Sequence, residues 1–231
     1  MVIGLLNPIQ IATWFGYEKA VKRMISNYDD PNAPNSKGVT PIKIAAFKGN
    51  LEIVQLLIPS ATNPHVANIY GWTPIHLAAY NGHLEIVRLL MTSTTNPNVA
   101  NIVGKTPILY AAFNGHLEIV QLLMTSITNP NVADNRGWTP INAAAQEGHL
   151  DIVRLLMRTT DNPNAPNNRG WTPIHSAAKG GHLEIVRLLM KTTNNPNASN
   201  YFGNTPEYVA SVYGHHDIVR LFRNLAIIRH H

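Results

Sequence analysis

Runs of leucine, isoleucine and valine, interrupted by single charged residues, recur along the chain at a fixed interval. The clearest copy is Leu84-Glu85-Ile86-Val87-Arg88-Leu89-Leu90-Met91. Leu84, Ile86, Val87, Leu89 and Leu90 make this segment apolar on more than one side. The predicted helix must therefore be buried against neighbours both before and after it. Upstream, Thr73-Pro74-Ile75 opens a shorter helix. Proline suits the first turn, where its missing N–H costs nothing, and threonine can cap. Ala78-Ala79 keeps that helix slim, so a neighbour can approach closely, and Gly82 ends it in the left-handed conformation. Asn96-Pro97 breaks the second helix, and turn residues fill the stretch to Gly104.

This pattern repeats without insertion. Thr-Pro-Ile begins at Thr40, Thr73, Thr106, Thr139 and Thr172, and a degenerate Thr-Pro-Glu at Thr205, always 33 residues apart. Glycines keep the same step from Gly38 to Gly203 and from Gly49 to Gly214. One step before Thr40 lies Asn7-Pro8-Ile9, and one step before Gly49 lies Gly16, which marks a worn copy at the N-terminus. One unit cannot bury this much apolar surface, whereas stacked units bury it against each other. The end copies differ as capping copies should. Glu18 and Arg23 replace core leucines in the first, and Glu207 and His216 replace Ile and Leu in the last. Leu221, Phe222, Leu225, Ile227 and Ile228 close the last unit.

The internal copies read Thr73-Pro74-Ile75-His76-Leu77-Ala78-Ala79-Tyr80-Asn81-Gly82-His83-Leu84-Glu85-Ile86-Val87-Arg88-Leu89-Leu90. This motif resembles the ankyrin repeat and extends over roughly residues 7 to 228. Where the family has Gly-Ala-Asp-Val-Asn after the second helix, this chain has Thr94-Thr95-Asn96-Pro97-Asn98 and equivalents. The turn is altered while the spacing is kept. The expected fold is an all-α solenoid of stacked helix–turn–helix repeats with hairpin-like loops, forming a single domain over 1–231. Its N-terminal capping repeat is 7–39, its internal repeats 40–72, 73–105, 106–138, 139–171 and 172–204, and its C-terminal capping repeat 205–229. His230-His231 reads as a tag remnant.

Composition narrows the function. Lys plus Arg number 18 against 13 Asp plus Glu, a net charge of +5, which is mild over 231 residues and is not in itself a polyanion-binding composition. There is no cysteine, which excludes disulfides and thiolate metal sites and suits a reducing compartment. The apolar N-terminal run stops at Asn7-Pro8, too short for a signal-peptide core, and no stretch approaches the ~20 apolar residues of a membrane helix. An intracellular protein, cytoplasmic or nuclear, without membrane attachment and monomeric, is expected.

The recurring side chains do not assemble a catalytic site. His83, His116, His149, His182 and His215 suggest a metal ladder. Equivalent side chains in adjacent layers lie ~10 Å apart, however, and one zinc needs nitrogens at about 2 Å. An imidazole that hydrogen-bonds across the inter-helix turn explains them better. His76 and His175 are read as turn-stabilising. Glu52, Glu85, Glu118, Asp151 and Glu184 oppose the positive ends of the second helices. No phosphate loop, nucleophile elbow or zinc-hydrolase motif is present. The sequence predicts no enzyme, no cofactor and no metal.

Positions that differ between copies are free to specify a partner. They are the two residues before the hairpin glycine, the one after it, and the two after Ala-Ala. The resemblance implies that these line the concave face. Phe47, Ile69, Tyr70, Trp72, Tyr80, Val103 and Phe113 make the early part aromatic and apolar. Lys105 begins a basic character that Arg136, Arg169 and Lys179 continue beside Trp138 and Trp171. Aromatic residues and arginine dominate binding energy at interfaces. The expected function is a non-catalytic scaffold that binds a protein or peptide with apolar anchors and some acidic residues. Nucleic-acid or polyanion binding through the Arg/Trp half is the alternative. Arg88, Arg154 and Arg187, spread over outer helices and interleaved with Glu, argue against it. A structural spacer within a longer polypeptide is a third reading.

Overall fold

The structure, a computed structural model, describes residues 6–228 and side chains as far as 225, so His230-His231 and the side chains of Ile227 and Ile228 lie outside the described residues. The described residues form fourteen α-helices in pairs and no strand. The first helices are α1 (Pro8–Trp14), α3 (Pro41–Lys48), α5 (Pro74–Asn81), α7 (Pro107–Asn114), α9 (Pro140–Glu147), α11 (Pro173–Gly180) and α13 (Pro206–Val212). The second helices are α2 (Glu18–Met24), α4 (Leu51–Leu57), α6 (Leu84–Met91), α8 (Leu117–Met124), α10 (Leu150–Leu156), α12 (Leu183–Met190) and α14 (His216–Ile228). This is an all-helical, solenoid-type fold.

Contacts divide the chain into two compact units. One runs to Ala111 and includes Gln121–Ile127; the other contains Ala112–Val120 and the chain from Thr128 onward. In the first, α1, α3 and α5 pack in succession, as do α2, α4 and α6. In the second, α9, α11 and α13 form one layer and α10, α12 and α14 the other.

Local chemistry explains the helix ends. Thr139 is extended, its Oγ1 accepts from Asn142 N–H, and the Asn142 side chain accepts from Thr139 N–H, so two otherwise orphaned donors are satisfied. Pro140 fills the first helical position. Ala78 and Ala79 are fully buried, as the slim helix requires. On α6, Ile86, Val87 and Leu90 are buried, whereas Leu84 and Leu89 are half-buried, so the apolar stripe is narrower than the sequence suggests.

Two side chains tie successive elements together. Asn32, Asn98, Asn131, Asn164 and Asn197, each following a proline, accept from the N–H at the second position of the next first helix, at 3.0–3.2 Å. The histidines before the second helices act differently from the expectation. His83, His149, His182 and His215 do not bridge their own turn. Each Nε2 reaches the carbonyl of a residue 36 positions earlier, Phe47, Phe113, Gln146 and Lys179 respectively, at 2.9–3.2 Å. Those carbonyls belong to the last turn of the preceding first helix, where acceptors lack intrahelical partners. The imidazole therefore caps a neighbour. Gly148 makes room for it: at φ +86° it is left-handed, and a Cβ there would lie 2.5 Å from His182 Cε1.

Candidate functional site

One side chain builds each hairpin. Asn68 Oδ1 accepts from the N–H groups of Tyr70 and Trp72, both at 2.9 Å, and Asn68 N–H donates to Trp72 O. Ile69 and Tyr70 are thereby held at the tip, 63% and 52% exposed. Asn35, Asn101, Asp134, Asn167 and Asn200 do the same in their hairpins. Adjacent hairpins join through the backbone. Ile102 N–H donates to Tyr70 O at 3.2 Å in the first unit, and Tyr201 N–H to Arg169 O at 3.1 Å in the second. A Cβ on Gly71 would lie 2.9 Å from Asn101 Cα, so glycine is what permits this approach.

In the first unit the hairpins and first helices enclose a groove of about 650 Å³. Phe47, Ile69, Tyr70, Trp72 and Tyr80 line it, with Lys37 and Lys43. Trp72 is half-buried because it packs tilted on Tyr110, 4.5 Å between centroids, and edge-on to Tyr80 at 6.1 Å. Phe47 stacks at 6.4 Å on Trp14, with Lys48 Nζ 4.1 Å over the indole. Beneath the aromatic cluster, His76 Nδ1 accepts from Thr73 N–H at 3.2 Å, which leaves the proton on Nε2, 3.2 Å from Lys105 O. Burial pushes this imidazole down to about 4, the carbonyl bond opposing only in part. It is neutral at neutral pH.

Lys105, half-buried, lies 5.8 Å over the Tyr110 ring, and Val103 is 48% exposed at the next hairpin tip. The remaining expected residues belong to the second unit. Arg136 and Arg169 are exposed at hairpin tips. Trp138 and Phe113 are half-buried. Trp171 is held inward, its Nε1 donating to Ser176 Oγ at 3.0 Å and its ring 5.2 Å from His175. Lys179 Nζ sits 5.6 Å over Tyr213. Thus five expected residues share one groove, while in the second unit Arg136, Trp138, Arg169 and Trp171 belong to hairpins and Phe113 and Lys179 to first helices.

A family model for ankyrin repeats, in three copies, matches residues 9–101, 94–167 and 156–227. The chain belongs to the ankyrin-repeat family. Comparison with curated proteins returned no match. Ankyrin repeats are generally protein–protein interaction modules and typically non-catalytic. Among the described residues no group of three or more His, Cys, Asp or Glu side chains is placed to hold a metal ion, and no helix is long and apolar enough to cross a membrane.

Sequence comparison between the ankyrin copies overlooks three contributors. Tyr110 occupies the slot of Leu77, Ala143 and Ser176, and an aromatic ring at an otherwise small or aliphatic position was the available signal. Trp14 lies in the worn first copy. The hairpin Asn/Asp series, from Asn35 to Asn200, is periodic but so regular that it reads as stacking rather than as the device that presents the tips.

Proposed function

We propose that this ankyrin-repeat protein is a binding scaffold for an extended or helical protein segment, engaged on the hairpin and first-helix face. Its apolar anchors enter the groove of the first unit, and the basic Arg136, Arg169 and Lys179 of the second unit favour a partner that carries acidic residues as well. The observation that carries this reading is the groove itself. Five large apolar side chains from positions that vary between copies border one open volume, whereas the repeated positions are used for packing. Anchors in pockets of this kind dominate interface energetics.

Truncating Trp72 or Tyr80 to alanine should weaken partner binding by ~2 kcal/mol or more, as read by titration calorimetry. Because Trp72 also packs in the aromatic cluster, thermal melting accompanies the titration. Unchanged affinity in folded variants would dispose of the assignment. The polyanion alternative gains little support from the outer arginines. Arg88, Arg154 and Arg187 each pair with a carboxylate three residues earlier, at 3.4–3.5 Å. A steep loss of binding with salt would instead favour that alternative. A reducing, intracellular setting suits a chain without cysteine.

A further inference from the structure

Lys43 is the only buried lysine or arginine among the described residues, at 2% exposure. It occupies a slot with a regular task. At the same position of their helices, Gln10, His76 and His175 reach the carbonyl 29 residues ahead, on the next hairpin, at 3.0–3.2 Å. Lys43 Nζ donates instead to Gly38 O of its own hairpin. It lines the groove with Lys37, and none of the lining residues is an Asp or Glu. Nor do the packed elements supply a carboxylate close by. Helix α1 has no charged residue, α5 brings only His76 and Tyr80 as titratable groups, and α3 itself adds Lys48. On α4, Glu52 is exposed. Burial alone lowers the lysine to about 8, as expected of an ammonium taken from water without a counter-charge. The groove therefore combines aromatic walls with an uncompensated buried cation.

We propose that Lys43 is a carboxylate receptor, so that the bound segment places an acidic side chain directly beside its aromatic anchor within this one groove. The inference rests on the groove's being the partner site and adds the local chemistry of what fills it. A segment with an aromatic residue next to Asp satisfies both features. An apolar segment alone would leave the buried ammonium without a counter-charge, which is unfavourable. A cationic segment would meet two like charges.

The test uses an isosteric pair, acetyl-Trp-Asp-amide and acetyl-Trp-Asn-amide, titrated into the ¹⁵N-labelled full chain while the amide signals of Ile69, Tyr70 and Trp72 are followed. The Asp peptide should bind about tenfold tighter or better, the range seen for close charge pairs at interfaces. Lys43→Met should bring the ratio near unity, and Lys37→Met, which removes an exposed and screened charge, should leave it largely intact. Should methionine disturb the fold, Lys43→Gln replaces it, because Gln10 fills the same slot in the first copy. Equal binding of the two peptides by the wild type, or a ratio that survives in the Lys43 variants, overturns the carboxylate receptor while leaving the groove as an apolar site. Amide signals unmoved by either peptide overturn both.

Discussion

His76 and Lys43 sit in the same slot of neighbouring repeats, and burial shifts both toward their neutral forms. For His76 the folded value is about 4 against an ordinary 6.5. Between these values the unfolded chain binds a proton that the folded chain refuses, so stability falls as pH drops from 6.5 through 4. His175 and His65 are lowered in the same sense, also mainly by burial. His76→Gln keeps a side chain able to make both bonds, as Gln10 does with Asn7 N–H and Val39 O. Urea titrations at stepped pH should show a shallower acid loss in this variant; an unchanged slope would mean that His76 titrates normally. For Lys43 the folded value is about 8 against 10.5. Below 8 the amine is charged in both states and the folded state carries the desolvation penalty; between 8 and 10.5 the folded amine loses its proton and the penalty fades. Lys43→Met should therefore stabilise the protein at pH 7, by an amount that shrinks as pH approaches 10.5. Melting curves across that range check it, and a destabilised variant at pH 7 would contradict it. The role of His76 as a turn stabiliser was legible in Thr-Pro-Ile-His. The isolation of Lys43 was not, because nothing in a sequence says which carbonyl a long side chain will choose.

The helix pair was the most legible element. Thr-Pro, Ala-Ala and the glycine step each correspond to a physical requirement, and α3, α5, α9 and α11 begin at the proline and end just before the glycine. Less legible was the direction of the histidine bond. Within one copy His182 stands beside its own turn, yet the acceptor it finds is Gln146 O, at 2.9 Å on the preceding repeat. Only stacking brings that carbonyl within reach. Replacing His182 with alanine removes the bond and leaves a helix-end carbonyl without its partner, which should cost about 1–3 kcal/mol in urea unfolding. A loss of a few tenths would return the histidine to a local role. The Asn-Pro segment illustrates the same limit. The proline breaks the helix visibly, but the following asparagine, as at Asn164, acts on an N–H ten residues later.

At the scale of the whole molecule, Thr-Pro-Ile, Ala-Ala and the Ile-Val pairs are spent on packing, whereas the hairpin-tip positions that differ between copies, such as Ile69, Tyr70, Arg136 and Arg169, are exposed. The terminal copies fit this division, with Glu18, Arg23 and His216 exposed where internal copies place leucine. The candidate site was legible as a set of positions but not as a shape. Phe47, Ile69, Tyr70, Trp72 and Tyr80 stand out when the copies are compared, whereas the ring contacts of Phe47 with Trp14 and of Trp72 with Tyr110 do not. Trp171 shows the converse, since its indole is bound to Ser176 and the same Gly-Trp-Thr-Pro motif serves packing there. The most direct measurement is calorimetric titration of a partner recovered on the wild-type chain into two double variants. Ile69→Ala with Tyr70→Ala alters only exposed hairpin tips, and Arg88→Ala with Arg187→Ala alters only exposed side chains on second helices. Binding should weaken at least about tenfold in the first and stay within about twofold of wild type in the second. The reverse order, with tips neutral and outer arginines required, would contradict the account.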